Sequence, residues 1–161
     1  MTPQAFDPAQ LRRVFGAFPS GVTAVAALVE GVPVGIAASS FTSVSLDPPL
    51  VSVCIAHSST TWPLLRRARR FGISVLAADQ EQAGRQLSAR GADRFADLDW
   101  RATDDGAVLL RGASAWLDCS IHAAHRAGDH DIIVLRVHDL DADQDVRPLI
   151  FHASQFHHLE P

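Results

Sequence analysis

The residues best suited to uncharged recognition chemistry lie in one stretch, Ala37 to Pro49, which reads AASSFTSVSLDPP. Serine, threonine and alanine crowd the end of an expected strand there, with a single aromatic, Phe41, among them. Hydroxyls and free backbone N–H groups at that density can line a planar polar heterocycle, or can serve a loop that bonds its own turns. Ser58, Ser59 and Thr60 stand just before Trp62-Pro63. At a helix start their hydroxyls and the unpaired N–H groups form a phosphate site or a plain N-cap. Gly128-Asp129-His130 reads as a turn between two strands, where glycine and aspartate suit the backbone. The histidine there either projects toward a site or stays in solvent.

Other chemistries fall away on residue type and spacing. All 14 basic residues are arginine; the chain has neither lysine nor tyrosine. Schiff-base, Walker-lysine and PLP-lysine chemistry is therefore excluded, as is a tyrosine acid or relay. The eight histidines do not form a metal site. His122 and His125 lie three apart on an expected strand and so face opposite sides, while His157-His158 sits in the tail. Cys54 and Cys119 lie in apolar runs with no CxxC pattern, which fits small buried side chains rather than a disulfide. No GxSxG elbow is present, and Gly31 and Gly35 fall on a hairpin and open no helix, which argues against a Rossmann fold.

The elements that must position these residues follow from the pattern. The 161 residues, 47% hydrophobic and 20% charged, fit a single domain over residues 1–161. A net charge of −4 gives no footprint for nucleic acid or an anionic membrane. No apolar run approaches a membrane span of about 18 residues. The start, MTPQAFDPAQ, lacks a signal peptide's basic and apolar segments, so a cytoplasmic location is expected. Asp7-Pro8 opens a helix bearing Leu11, Val14, Phe15 and Phe18, and Pro19-Ser20-Gly21 closes it. Val22 to Val29 and Val32 to Ala38 form a hairpin about Glu30-Gly31; Leu50 to Ala56 is a further strand. A helix follows Thr60-Thr61-Trp62-Pro63, its tail carrying Arg66, Arg67, Arg69 and Arg70. Phe71 to Leu76 is a strand, Asp79 caps a helix to about Ser88, and residues 89–106 read as a polar loop. Ala113 to His122 and Ile132 to Leu140 are strands about Ala127-Gly128-Asp129; Pro148 to His152 is the last strand before a tail. Some seven strands, mostly in hairpins with short helices inserted, predict a mainly β, antiparallel barrel with helices over its mouth.

Several segments occur together in order: PSGVTAVAA, SSFTSVSLDPPLVSVC, SSTTWPLL, FGISVL, QLSARGADRF, GASAWLDCSI, GDHDIIVLRV and PLIFHASQF. Over roughly residues 11 to 159 they resemble the flavin reductase family, small NAD(P)H:flavin oxidoreductases that feed two-component monooxygenases. The resemblance implies the FMN-binding split barrel, an antiparallel Greek-key β-barrel that usually forms homodimers. It implies that FMN or FAD is reduced by NADH or NADPH and that reduced flavin passes transiently to a monooxygenase component. By the same resemblance Ala37, Ala38, Ser39, Ser40, Phe41, Ser43 and Val44 contact the isoalloxazine and ribityl groups. Ser58, Ser59 and Thr60 lie by the flavin phosphate, with Ser88, Ala89 and Arg90 as a second phosphate-side segment. His130 is the catalytic residue that orients the nicotinamide, helped by His152, Ser154 and Phe156. Relatives often carry Thr at position 37, an aromatic at 152 and Gly at 154, so this chain departs from the pattern there. A short phosphate site with one arginine leans to FMN. Two other activities fit the same fold: a non-catalytic flavin carrier, and a flavoenzyme acting directly on an organic substrate.

Overall fold

Asp7 opens the chain's first helix because its carboxylate accepts the Ala9 N–H (3.1 Å) and Pro8 fits the first turn. The computed structural model describes residues 5–91 and 93–160. In order, the elements are α1 (Pro8–Gly16), β1 (Ser20–Gly21), β2 (Thr23–Val29), β3 (Val32–Ala38), β4 (Thr42–Leu46), β5 (Pro49–Ala56), α2 (Trp62–Leu65) and β6 (Phe71–Val75). A 3₁₀ turn (Ala78–Gln80) leads into α3 (Glu81–Ser88), then β7 (Trp100–Ala102), β8 (Val108–Leu110), β9 (Ala115–Ala127), β10 (His130–Ala142), β11 (Leu149–His152) and β12 (Gln155–His158).

The principal sheet has the order β3-β2-β6-β9-β10-β5-β4, antiparallel throughout; β1-β11-β12 and β7-β8 form smaller sheets. It curls so that β3 comes into contact with β5. Just before β4, Ser40 Oγ accepts the Cys54 N–H (2.9 Å) and donates to the Cys54 carbonyl (3.2 Å), so a side chain continues the β4–β5 ladder past its Thr42–Ser52 pair. Strand β2 is buried at nearly every residue because it separates two cores. Val25, Val53, Phe71, Ile73, Ile133 and Leu135 fill the curl of the sheet. Ala24, Ala26, Leu76, Leu87, Val108 and Leu149 fill the space under α3 on the other side. Gly72 lets β8 cross β6 closely, since a Cβ there would collide with the Val108 carbonyl. The Ser74 hydroxyl accepts the Leu110 N–H (2.9 Å) at the same crossing.

Several sequence expectations need correction. The helix after Trp62-Pro63 is one turn long and ends at Leu65, so none of the four arginines lies within it; Arg66 is its C-cap and Arg67, Arg69 and Arg70 lie beyond. Arg70 pairs instead with the buried Asp118 (3.0 Å). Asp79 sits inside a 3₁₀ turn, and the Ala77 N–H is taken by the Gln80 side chain (2.9 Å). The region read as a polar loop holds β7, which pairs with β8 (Trp100 opposite Leu110), a strand the pattern also missed. The tail contains β12, and residues 42–46 form the edge strand β4. These short strands escaped detection because none has enough residues to show a period. His122 is the extra residue of a bulge between the Ile121–Leu135 and Ala123–Val134 pairs, so strict alternation does not carry from His122 to His125. Cys119 is buried, but Cys54 is only half-buried.

Candidate functional site

A cleft of about 1010 Å³ opens where β3, the end of β5 and the end of α3 converge. That is as large as the roomiest ordinary ligand pockets. One wall is β3 from Pro33 to Ala38, continued by Ser39 and Ser40. Gly35 is required in it: an added Cβ would lie 2.9 Å from both the Ala26 Cβ and the Phe95 ring. Phe95 therefore packs beneath this wall, edge-on to Trp100 at 6.5 Å. The facing wall is Cys54, Ile55 and Ala56 of β5, followed by Ser58, Ser59, Thr60 and Thr61. Leu87, Ser88, Arg90 and Arg94 close one end, and His130 stands at the rim.

Not every hydroxyl here is free to meet a ligand. Ser40 is committed to Cys54, and Ser59 Oγ accepts the Trp62 N–H (3.1 Å). Thr61, the nominal N-cap of α2, makes no such bond. A single helical turn carries little dipole, so the Ser58–Thr61 segment offers hydroxyls rather than a strong helix field. Ser88 Oγ donates back to the Gly84 carbonyl (2.9 Å) and keeps its lone pairs. Arg94 fixes the loop after α3 to the β3 wall, donating to the Ala89 (2.9 Å) and Gly35 (3.1 Å) carbonyls. Arg90 is exposed on the wall, a guanidinium suited to a phosphate.

His130 follows the two-residue turn Gly128-Asp129, in which Gly128 adopts φ +64°. Its side chain is 45% exposed, and Nδ1–H donates to Asp129 Oδ1 (2.7 Å), which leaves Nε2 for a ligand. That hydrogen bond, more than the His130 charge, holds the Asp129 carboxyl below its ordinary value. His57 Nε2 contacts Asp131 Oδ1 at 2.8 Å beside it. Cys119 lies elsewhere, in the barrel core; burial and the neighbouring Asp118 push its thiol up to about 12. Among the described residues, no group of three or more His, Cys, Asp or Glu is placed to hold a metal ion.

The cleft thus gathers Ala37, Ala38, Ser39, Ser40, Ser58, Ser59, Thr60, Ser88, Arg90 and His130 from distant parts of the chain. Phe41 packs against the barrel core, while Ser43 and the 52%-exposed Val44 lie on edge strand β4, outside the cleft walls. Ala89 contributes a carbonyl to Arg94 rather than a wall surface. His152, Ser154 and Phe156 belong to the β11–β12 hairpin, with Phe156 packed beside Gly84 under the Arg85 guanidinium, 4.9 Å from its ring centroid. The β3 residues Val34, Gly35 and Ile36, and Arg94 and Phe95 after α3, were not singled out in the sequence. Only Gly35 within a β-rich run signalled a close approach in advance.

The flavin reductase like domain profile matches residues 15–160. The chain belongs to this flavin reductase family. It is 38% identical to the reductase subunit of a flavin-dependent monooxygenase from Rhodococcus jostii, over 98% of this chain and 81% of the relative. A flavin reductase from Pseudomonas putida is 39% identical over 94% of this chain and 90% of that protein. Among solved structures, a Streptomyces globisporus NADH:FAD oxidoreductase in complex with NAD and FAD fragments superposes with a TM-score of 0.89, at 38% identity and 98% coverage of both chains. The mainly β fold and its open, curled sheet are those of the flavin reductase family's solved members.

Proposed function

We propose that this flavin reductase family chain uses NADH or NADPH to reduce FMN or FAD in the cleft, and that the reduced flavin leaves for a monooxygenase component. The observation that carries this reading is the donor set: hydroxyls and backbone from β3 and residues 58–61 face one another, with Arg90 at one end and His130 at the rim. Those groups fit a planar heterocycle with a phosphate tail, and the cleft is wide enough for a second ring. When bound, the flavin accepts a hydride from the nicotinamide, so the chemistry belongs to the two nucleotides. The chain's residues hold both rings, exclude water and fix their distance. The β3 wall and Ser39 take the ring edge; Ser58, Thr60, Ser88 and Arg90 take the ribityl and phosphate. His130 positions the nicotinamide through Nε2. Phe156 supports α3 from outside the cleft, and His152 and Ser154 also lie outside the cleft walls, so none of the three tail residues holds the nucleotide in this reading.

Mixing the protein with NADH and free FMN or FAD tests the activity. Loss of NADH absorbance on adding flavin is expected; flavin binding without turnover means a carrier, and flavin retained through purification favours a direct flavoenzyme. Arg90→Ala is expected to weaken FMN more than riboflavin, by tenfold or more, because a charge-assisted contact is worth about 1.5–3 kcal/mol. Equal losses by titration place Arg90 off the phosphate.

The reading includes a homodimer in a reducing cytoplasm. Phe15 and Phe18 are 71% and 78% exposed, and Leu46 at the barrel edge is 96% exposed, more apolar surface than one chain covers. The cysteines are unpaired, as a reducing compartment keeps them. Light scattering on an eluting column measures the state; a mass of one chain would refute the dimer.

A further inference from the structure

The rim histidine stands at the end of a long hairpin, and its position relative to the facing wall needs a fixed point. Two contacts supply one, both from His57, the residue immediately after β5. The His57 N–H donates to the Asp129 carbonyl (2.8 Å), which carries the β5–β10 ladder one bond past the last strand pair, Ala56–His130. The His57 ring reaches the other way, Nε2–H to Asp131 Oδ1 at 2.8 Å, with side chains only 34% and 29% exposed. Asp131 shares its ladder face with Ile133 and Leu135, which point into the barrel, while His130 lies on the alternate face, opposite Ala56, and lines the cleft. His57 therefore bonds to the residues on both sides of His130 and is not among the residues that line the cleft. The next residue, Ser58, begins the hydroxyl wall.

We infer that the His57–Asp131 pair is a positioning brace that sets the distance between His130 and the Ser58–Thr61 wall, and so sets how well the nicotinamide is held. The inference rests on the reading of His130 as the nicotinamide-positioning residue. The brace acts only through His130. Without the ring contact, the tip keeps its turn but loses its register against the wall, and a small misplacement is costly in a reaction that depends on proximity.

The test is a set of variants of the whole protein: His57→Ala, Asp131→Ala, His57→Gln, His130→Ala, and the His57→Ala/His130→Ala double variant. His57→Ala and Asp131→Ala are expected to lower kcat/KM for NADH roughly fivefold or more, with flavin Kd unchanged. His57→Gln, whose amide N–H reaches Asp131, restores most of it. The double variant matches His130→Ala alone, because a brace has nothing left to position. Additive losses in the double variant, or flavin Kd moving by the same factor, overturn the brace and leave His130 in place. A His57→Ala variant with wild-type kinetics does the same. Wild-type kinetics for His130→Ala overturn the reading of His130 and the brace together.

Discussion

Hairpin β9–β10 turns at Gly128-Asp129, and hairpin β11–β12 turns at Ala153-Ser154; the family resemblance implies a nicotinamide role for both tips, and the fold places them differently. At the first, Gly128 takes the left-handed conformation at no steric cost, and the turn is gripped by His57. Its histidine looks into the cleft. At the second, Ala153 and Ser154 both sit at positive φ, +51° and +62°, where a Cβ is disfavoured. That tip is held by the Ala153 N–H to the Gly16 carbonyl (2.9 Å), and its aromatic ring is spent on α3. An unstrained tip beside the cleft can present a ligand group. A strained tip held down by packing serves the scaffold.

The comparison can be broken at four points. The largest effect is expected at Phe156, which is part-buried against Phe151, at 5.4 Å between ring centroids, and beside Gly84. Phe156→Ala should cost about 3 kcal/mol of unfolding free energy, the low end for a phenylalanine, because the ring is only part-buried. Chemical denaturation measures it. The KM for NADH should hold at temperatures where the variant is folded; a raised KM would return the tail to the nucleotide site.

His130→Ala comes next. Steady-state kinetics should show a tenfold or greater loss in kcat/KM for the nicotinamide nucleotide, about 1.4 kcal/mol, with flavin affinity little changed. Ser154→Gly tests the strained tip: relief of the positive φ should stabilise the fold by about 0.5–1 kcal/mol, raising Tm without changing kinetics. A lowered Tm would show that the hydroxyl, not the backbone, matters there.

The smallest effect sharpens the first tip. The Asp129 carboxyl titrates below 3.8 because His130 donates to it. A lowered carboxylate value means the pair's contribution is present above the ordinary value and fades as pH falls through the lowered one. Since Asp129 is fully exposed, its titration is the readout, not the stability. In His130→Ala, NMR should find that carboxyl back at its ordinary value.

The elements with a clear period were legible. The β2–β3 hairpin about Glu30-Gly31, β5 and β6 lie where the apolar pattern places them; α1 begins at Pro8 as expected but ends at Gly16, before Phe18, and buries none of its residues. The five short strands β1, β4, β7, β8 and β12 were not, because they hold two, five, three, three and four residues and are defined by their partners. In the site, residue types left Ser39 and Ser58 open between ligand binding and turn or cap bonds, and the family resemblance, not residue type, marked Arg90. The role of Arg94 is not legible because it ties a loop to a carbonyl 59 residues away, and a glycine at 35 within a β-rich run hints at a close approach without showing that Phe95 makes it.

The sequence by itself determined which chemistry was open. A chain with no lysine or tyrosine and no metal-ligand spacing closes several chemistries, and its motifs carried the family, whose resemblance implies that the nucleotides do the reaction work. It also determined the local turns, since glycine at 128 and proline at 8 act within a few residues. Tertiary structure alone decided which hydroxyls are spent and which are free, because Ser40 meets Cys54 only when β4 pairs with β5 in the observed register. It also decided that His130, not His152, reaches the cleft. That choice depends on the register of β5 against β10, and register is a property of two strands together.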